Sequence, residues 1–202
     1  MADLLPSDWL VGVVGRLDKP TTGALLVTDD GDLDFLLTSP TFHVWKRYLL
    51  TVVGEPDAGD PRLQRLRDGV LISGEATEPA RCGIVEGVAW PGRDGTRLSQ
   101  LCLEIREGRF RQVRRMANHV GFKLVRLHRV AIGPVELGDL AEGRWRELDA
   151  DEVEGLYDAA GGREAPVRRA RAALWRRLAA GELDVRDAAL VERYVVGSDW
   201  RH

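Results

Sequence analysis

The segment at residues 14–31, VGRLDKPTTGALLVTDDG, constrains the fold most strongly because it joins a rigid turn to the start of a buried element. Two glycines flank the turn and permit backbone angles that other residues avoid. Pro20 fixes its own φ angle and lacks an amide donor. We therefore predict a defined loop at residues 16–22, and the apolar run that follows predicts a short buried strand at residues 24–28.

Asp18 lies within this loop, between the cations Arg16 and Lys19. Neighbouring positive charge favours an ionised carboxylate, which can act as a base or as a nucleophile. Aspartate in a turn that contains glycine and proline is more often a capping residue. The segment alone therefore leaves both interpretations open.

The composition, with 44% hydrophobic and 30% charged residues, is that of an ordinary soluble globular protein. No apolar run approaches the roughly 20 residues that span a bilayer. The first residues, MADLLPSDW, contain acids and a proline where a signal peptide would be basic and then apolar. We therefore expect a cytoplasmic protein that does not enter a membrane. Cys82, Cys102 and the four histidines lack metal-ligand spacing, which predicts reduced thiols and no metal site.

Apolar periodicity along the rest of the chain predicts an α+β domain. Strands are predicted at residues 9–14, 24–28, 44–53, 70–73, 79–88, 98–106 and 123–130, with a further short strand around Trp145. Helices are predicted at residues 32–37, 61–67, 111–120, 149–157 and 166–194. Residues 89–96 should form a turn-rich connection. Gly161 and Gly162 mark a boundary, which predicts a domain at residues 1–160 and a helical extension at residues 161–202.

A local excess of positive charge distinguishes residues 104–129, although the whole chain carries a net charge of −3. The cations of this segment are Arg106, Arg109, Arg111, Arg114, Arg115, Lys123, Arg126 and Arg129. Such a patch predicts a surface that binds a polyanion. Arginines near the start of the predicted helix at residues 111–120 interact unfavourably with the helix dipole. A phosphate, or a carboxylate such as Asp18, would offset this cost if it paired with them. A solvated charged face is the simpler interpretation.

Lys46 and Tyr48 are two residues apart in the predicted strand at residues 44–53, so their side chains should lie on the same face of a sheet. A buried aromatic residue with its hydroxyl group hydrogen-bonded is the simpler interpretation of Tyr48. The strand alone therefore assigns no function to either residue.

Three stretches, taken in order, resemble one known family. They read GRLDKPTTGALLVTDDGDL from Gly15, KRYLLTV from Lys46, and EGRFRQVRRMANHVGFKLVRLHRVAIGPVEL from Glu107, followed by GRWREL from Gly143. Together they are similar to the RsuA/RluB/RluE/RluF group of ribosomal RNA pseudouridine synthases, and most similar to its small 23S-type member without an S4 RNA-binding domain. The resemblance implies the α+β pseudouridine synthase catalytic fold. That fold has a mixed, mainly antiparallel sheet flanked by helices, and the resemblance implies that here it is short at its N-terminus, without the further first strand that the family normally has.

The resemblance also implies a reaction and the residues that carry it out. These enzymes convert uridine to pseudouridine by breaking the bond between N1 and C1′, turning the base and rejoining it through C5, without a metal or redox cofactor. Asp18 matches the catalytic aspartate, Tyr48 the tyrosine that stacks on the target base, and Arg114 the arginine that pairs with the aspartate. Phe110 stands where the family usually has asparagine. The candidate RNA contacts are Arg16, Lys19, Lys46, Arg111, Gln112 and Arg115.

The implied partner is structured ribosomal RNA with the target uridine turned out of its stack. We expect large-subunit RNA and a monomeric enzyme. Two other interpretations are open: a non-catalytic module that binds RNA or assists ribosome assembly, and a hydrolase that uses Asp18 as its nucleophile. For a hydrolase, no second carboxylate stands at an identifiable general-acid position.

Overall fold

The computed structural model describes residues 5–6, 9–92, 95–163 and 180–181. Within these residues the polypeptide alternates short strands and helices, with a 3₁₀ turn at Pro40–Phe42. In chain order the elements are β1 (Gly12–Val13), β2 (Thr21–Gly23), β3 (Val27–Thr28), α1 (Gly31–Thr38), β4 (Lys46–Val53), α2 (Pro61–Asp68), β5 (Leu71–Ile72), β6 (Glu75–Ala76), β7 (Arg81–Pro91), β8 (Arg97–Ile105), α3 (Gln112–Val120), β9 (Leu124–Ile132), β10 (Val135–Glu136) and α4 (Ala150–Ala159).

The central sheet has the strand order β10-β9-β4-β8-β7, with antiparallel pairing throughout, and β2 pairs in parallel with β9. Two short ladders, β1 with β3 and β5 with β6, stand apart from this sheet. Pairing between β4 and β8 is continuous from Lys46 opposite Ile105 to Val53 opposite Leu98. The mixed, mainly antiparallel sheet and its flanking helices confirm the predicted fold class.

One face of the central sheet carries the main core. Leu50 of β4 and Leu101 of β8 are fully buried there, because the period of a strand places every second side chain on the same face. Leu63 of α2 and Met116 of α3 pack in the same core and are also fully buried. Burial of each such side chain contributes about 2 kcal/mol. This core holds α3 against the sheet.

A second, smaller core joins α1, α4 and the end of β9. It contains Leu36, Leu156 and Ile132. A capping box forms at the start of α4: Asp149 accepts from the Glu152 amide at 2.8 Å, and the Glu152 carboxylate accepts from the Asp149 amide at 3.1 Å. The apolar contacts of this second core hold α4 against α1 and against the β10 side of the sheet.

The four predicted helices that fall within the described residues are confirmed as α1 to α4, with ends that agree within two residues. The predicted helix at residues 166–194 lies outside the described residues, apart from positions 180 and 181, so the extension at residues 161–202 stays a prediction. None of the helices in the described part of the chain is long and apolar enough to cross a membrane.

The predicted strand at residues 24–28 is wrong in its position. Pairing occurs instead in β2, which ends at Gly23, and in β3, which begins at Val27. The predicted loop at residues 16–22 is therefore also too long, because its last two residues belong to β2.

Arg129 of β9 explains this difference. Its carbonyl oxygen accepts from the Ala24 amide and its Nε donates to the Ala24 carbonyl, both at 2.8 Å. Gly23 allows the close approach, since a Cβ at this position would lie 2.1 Å from the Arg129 carbonyl oxygen and the φ angle is 113°. The chain is thus bound to β9 at Ala24 before it turns away to form β3.

Two other predicted boundaries are corrected. The connection predicted at residues 89–96 is shorter, because β7 continues through Pro91 and β8 begins at Arg97. No strand forms around Trp145, where the described residues are irregular. The Trp145 ring instead lies edge-on to the Trp9 ring, with centroids 5.0 Å apart. An isolated tryptophan therefore marked an aromatic contact rather than a strand.

Candidate active site

Asp18 lies in the loop that leads into β2. Its carbonyl oxygen accepts a hydrogen bond from the Thr21 amide at 2.8 Å, which closes a turn around Lys19 and Pro20. β2 then pairs in parallel with β9, with Thr21 opposite Leu127. The loop is thus fixed to the central sheet, while the Asp18 side chain remains 17% exposed and open to a substrate.

Arg114 brings a guanidinium group to this carboxylate from α3. Its Nε lies 3.7 Å from Asp18 Oδ2. Its Nη2 donates to the Pro20 carbonyl at 2.9 Å and to Thr21 Oγ1 at 3.0 Å, so the same group also holds the loop backbone. The Nε is buried without a hydrogen-bond partner, which leaves the ion pair as its compensating interaction. Burial lowers the pKa of Arg114 and Asp18 opposes this effect, but the guanidinium keeps its charge.

Tyr48 lies on the face of the sheet that α3 covers. It is 9% exposed, pairs with Arg129 of β9, and belongs to the same core as Val113 of α3. β9 separates β4 from β2, so Tyr48 is two strands from the segment that follows Asp18. The sheet and α3 therefore bring Asp18, Tyr48 and Arg114 to one region of the molecule.

Two further cations lie beside Tyr48. Lys46 is two residues earlier in β4, and its Nζ donates to the Val44 carbonyl at 3.2 Å. Arg129 is 4% exposed, and its Nη2 is buried without a hydrogen-bond partner. Burial, with the neighbouring charge of Arg129, lowers the pKa of Lys46 to about 8. None of the ion pairs among the described residues involves either cation, so the protein leaves this positive charge without a carboxylate partner.

Three of the other predicted RNA contacts are exposed. Arg16 and Lys19 lie on the loop that carries Asp18, and Arg111 lies at the N-cap of α3. Arg111 has a left-handed backbone with a φ angle of 52° and no side-chain cap hydrogen bond. The three cations thus stand on the two segments that carry Asp18 and Arg114, where a bound polyanion would meet them.

The predicted RNA contact at Gln112 is not supported by the structure, because this side chain is buried. It is 3% exposed, its side-chain oxygen accepts from the Arg109 amide at 3.0 Å, and its Nε2 donates to Glu107. Glu107 is itself buried and requires donors, which explains why a polar residue of α3 faces the interior. Arg115 is half-buried and donates to Ser73 Oγ, so it is turned towards the β5–β6 hairpin.

The basic segment at residues 104–129 does not form one continuous patch. Arg106 Nε lies 2.7 Å from a carboxylate oxygen of Glu78, and Arg109 Nε lies 3.0 Å from a carboxylate oxygen of Glu107. Arg129 is buried. Sequence proximity overestimated the patch because glutamates pair with two of its arginines and burial removes Arg129 from the surface. The cations that remain fully exposed in this segment are Arg111, Lys123 and Arg126.

Comparison with known proteins settles the family. The model of the family described as RNA pseudouridylate synthase matches residues 8–119, a range that contains Asp18, Tyr48 and Arg114. The chain belongs to the RNA pseudouridylate synthase family.

Curated members of the RNA pseudouridylate synthase family are similar over most of the described chain. Ribosomal large subunit pseudouridine synthase E of Xanthomonas campestris pv. campestris is 42% identical over 151 residues, covering 71% of this chain and 80% of that protein. Ribosomal small subunit pseudouridine synthase A of Escherichia coli (strain K12) is 37% identical over 151 residues, covering 73% of this chain and 60% of that protein. A solved pseudouridylate synthase structure has a TM-score of 0.59 and 37% identity, covering 72% of this chain and 59% of that one.

Sequence reasoning missed two residues of the candidate active site. Arg129 was counted only within the basic segment, yet it alternates with the buried residues Leu127 and Ala131, a signal that would have placed it inside. Thr21 gave no signal, because its contact with Arg114 joins residues 93 positions apart. Long-range contacts of this kind depend on the fold of the family rather than on local pattern.

Proposed function

We propose that this protein isomerises one uridine of ribosomal RNA to pseudouridine, with Asp18 as the group that acts on the ribose. The observation that carries the proposal is the ion pair between Arg114 and Asp18, 3.7 Å from Nε to Oδ2, on a loop that Arg114 also binds through Pro20. This separation is longer than a hydrogen bond. Arg114 therefore positions the Asp18 carboxylate without forming a hydrogen bond to it.

The proposed reaction begins at the sugar of the target nucleotide. The Asp18 carboxylate either attacks C1′ or removes a proton from the ribose, and both routes break the bond between N1 and C1′. The released base turns and bonds to C1′ through C5. On the first route this breaks the bond between Asp18 and C1′, and on the second route the ribose regains the proton that Asp18 removed. The hydrogen on C5 leaves as a proton and N1 gains one, so the product is an isomer of uridine.

Tyr48 is proposed to stack on the target base after the base leaves the RNA helix. An enzyme that acts on a base within structured RNA must turn that base out of its stack, and an aromatic ring with nearby cations stabilises the extruded base. Arg16, Lys19 and Arg111 are proposed to contact phosphates, since they are exposed beside the site. Lys46 is proposed to contribute from inside the site, next to Tyr48.

Large-subunit RNA is the proposed substrate. The relative at 42% identity is named for the large ribosomal subunit, whereas the relative at 37% identity is named for the small subunit. With ribosomal RNA as the substrate, we propose that the protein acts in the cytoplasm. One chain carries the three proposed groups, so we propose that it acts as a monomer.

A non-catalytic RNA-binding module is not favoured. A surface that only binds RNA gains affinity from cations that neutralise phosphates. A carboxylate in the middle of such a surface works against binding, yet Asp18 stands between Arg16 and Lys19 and beside Arg114. A reaction that uses the carboxylate explains this arrangement better.

The test incubates the purified protein with transcripts of 23S and 16S ribosomal RNA and maps pseudouridine by carbodiimide modification and reverse transcription. We expect one new pseudouridine in the 23S transcript. A new pseudouridine in the 16S transcript instead would overturn the choice of subunit. No pseudouridine in either RNA, with correctly folded protein, would overturn the proposed function.

A further inference from the structure

We infer that Phe110 and Arg16 form a stacking platform for the base of a nucleotide next to the target uridine, an inference that rests on the proposed function. Phe110 is 66% exposed and lies two residues before α3. The guanidinium carbon of Arg16 lies 5.9 Å from the centre of its ring. Because Arg16 is two residues before Asp18, the ring lies at the rim of the candidate active site.

The segment that carries Phe110 is anchored from the inside. Arg109 donates through Nε to Glu107 at 3.0 Å and through Nη2 to the Ala76 carbonyl at 2.7 Å. Gln112 is buried and accepts from the Arg109 amide, so the residue before Phe110 is bound to the first residue of α3. The exposed ring is thus presented by an ordered backbone. An ordered aromatic side chain loses little conformational freedom when a partner stacks on it.

The charges around the ring fit a nucleic acid. Neither Arg16 nor Arg111 takes part in an ion pair among the described residues, and both are exposed. An aromatic ring flanked by cations without ion-pair partners binds single-stranded nucleotides, because the ring stacks on the base and the cations contact the phosphates. An apolar protein segment would gain from Phe110 alone and nothing from the two arginines.

The position of Phe110 indicates which nucleotide it takes. Tyr48 is 9% exposed and lies inside the site, where it suits the extruded target base. Phe110 is 66% exposed at the rim and is open to solvent over most of its surface. We therefore assign to it the base directly 5′ or 3′ of the target uridine.

The test uses a ribosomal RNA fragment in which the wild-type protein forms pseudouridine, with 2-aminopurine placed on the 5′ or the 3′ side of the target. Binding is followed by fluorescence with Asp18→Ala protein, which blocks turnover, because stacking quenches 2-aminopurine. We expect quenching at one of the two positions with Phe110 and with Phe110→Tyr. In Phe110→Leu, which keeps apolar bulk without an aromatic face, we expect loss of quenching and roughly tenfold weaker binding.

Leu71→Ala is the matched control, because it removes another exposed apolar side chain, 60% exposed, from β5. It should change neither quenching nor affinity. Unchanged quenching in Phe110→Leu, or an equal loss in Leu71→Ala, would overturn the platform while pseudouridine formation by the wild-type protein stands. If the wild-type protein forms pseudouridine in no ribosomal RNA fragment, the proposed function fails and the platform fails with it.

Discussion

Replacing Lys46 with methionine should stabilise the protein at neutral pH. The Lys46 ammonium is largely removed from water, has one backbone acceptor at 3.2 Å, and lies beside the buried cation Arg129. The fall of its pKa from 10.5 to about 8 corresponds to roughly 3 kcal/mol of destabilisation when the charged form is folded. Methionine has a similar length and carries no charge. After allowance for the lost hydrogen bond to Val44, we expect Lys46→Met to gain about 2 kcal/mol at pH 7.

The stabilisation expected from Lys46→Met should depend on pH. The folded pKa of Lys46 lies below the unfolded value, so between pH 8 and 10.5 the unfolded chain binds more protons than the folded one. The wild-type protein should therefore gain stability from this residue as the pH rises through that window. Lys46→Met has no such titration, and the difference in unfolding free energy between the two proteins should shrink by about 2 kcal/mol between pH 7 and pH 10.

Urea unfolding at pH 7, 8, 9 and 10 measures this difference for the wild type, Lys46→Met and the control Lys123→Met. Lys123 is exposed, so its replacement should leave the pH dependence unchanged. The sequence contains three lysines, so ¹³C-methylated lysine signals can also show directly whether one titrates near pH 8. A Lys46→Met difference that stays constant with pH, or a clear loss of stability at pH 7, would refute the reasoning. A cation retained at this cost suggests a use in function, so Lys46→Met should also lower RNA modification.

Three further predictions follow from the site and the fold. Arg114→Gln should lower kcat about 100-fold, because the Asp18 carboxylate, which we propose reacts with the ribose, loses its positioning cation. Arg65→Gln on α2 should leave kcat unchanged, and equal rates for the two variants would remove Arg114 from the proposed mechanism. Arg111→Ala should reduce the slope of log affinity against log salt by about 1 in RNA-binding titrations, and an unchanged slope would show that Arg111 contacts no phosphate. Gly23→Ala should cost about 3 kcal/mol or more in urea unfolding, because its Cβ would lie 2.1 Å from the Arg129 carbonyl oxygen. Gly54→Ala has a similar φ angle of 107° with no atom within 4 Å, and should cost only about 1 to 2 kcal/mol; equal losses would contradict the role of that contact.

Strands and helices with a regular apolar period, such as β8 and α3, could be predicted from the sequence. The alternation of Leu101, Leu103 and Ile105 predicted a strand at residues 98–106, and β8 spans Arg97–Ile105. Val113, Met116 and the other apolar residues of the helix predicted at residues 111–120 recur every three or four positions, and they form the buried face of α3. In both cases the period of the element itself determines which side chains are buried, so no distant residue is needed to make the prediction.

Contacts between distant segments could not be read from local patterns. The parallel pairing of β2 with β9 joins Thr21 to Leu127, and it displaced the strand that had been predicted at residues 24–28. Gln112 is polar, so nothing in its own segment showed that a buried Glu107 would draw it inside. The choice of Asp18, Tyr48 and Arg114 as site residues came from the resemblance to a family and stays a prediction. The resemblance implied that Arg114 pairs with Asp18, but the contacts of Arg114 with Pro20 and Thr21 came only from the structure.

The most direct test of the proposed function is pseudouridine mapping of a 23S ribosomal RNA transcript treated with wild-type protein or with Asp18→Asn protein. The substitution keeps the size of the side chain and removes its charge, so folding and RNA affinity can be checked on the same sample. We predict one pseudouridine with the wild-type protein and none with Asp18→Asn at equal RNA binding. The same pseudouridine at an undiminished rate in Asp18→Asn would contradict the central claim that the Asp18 carboxylate acts in the reaction.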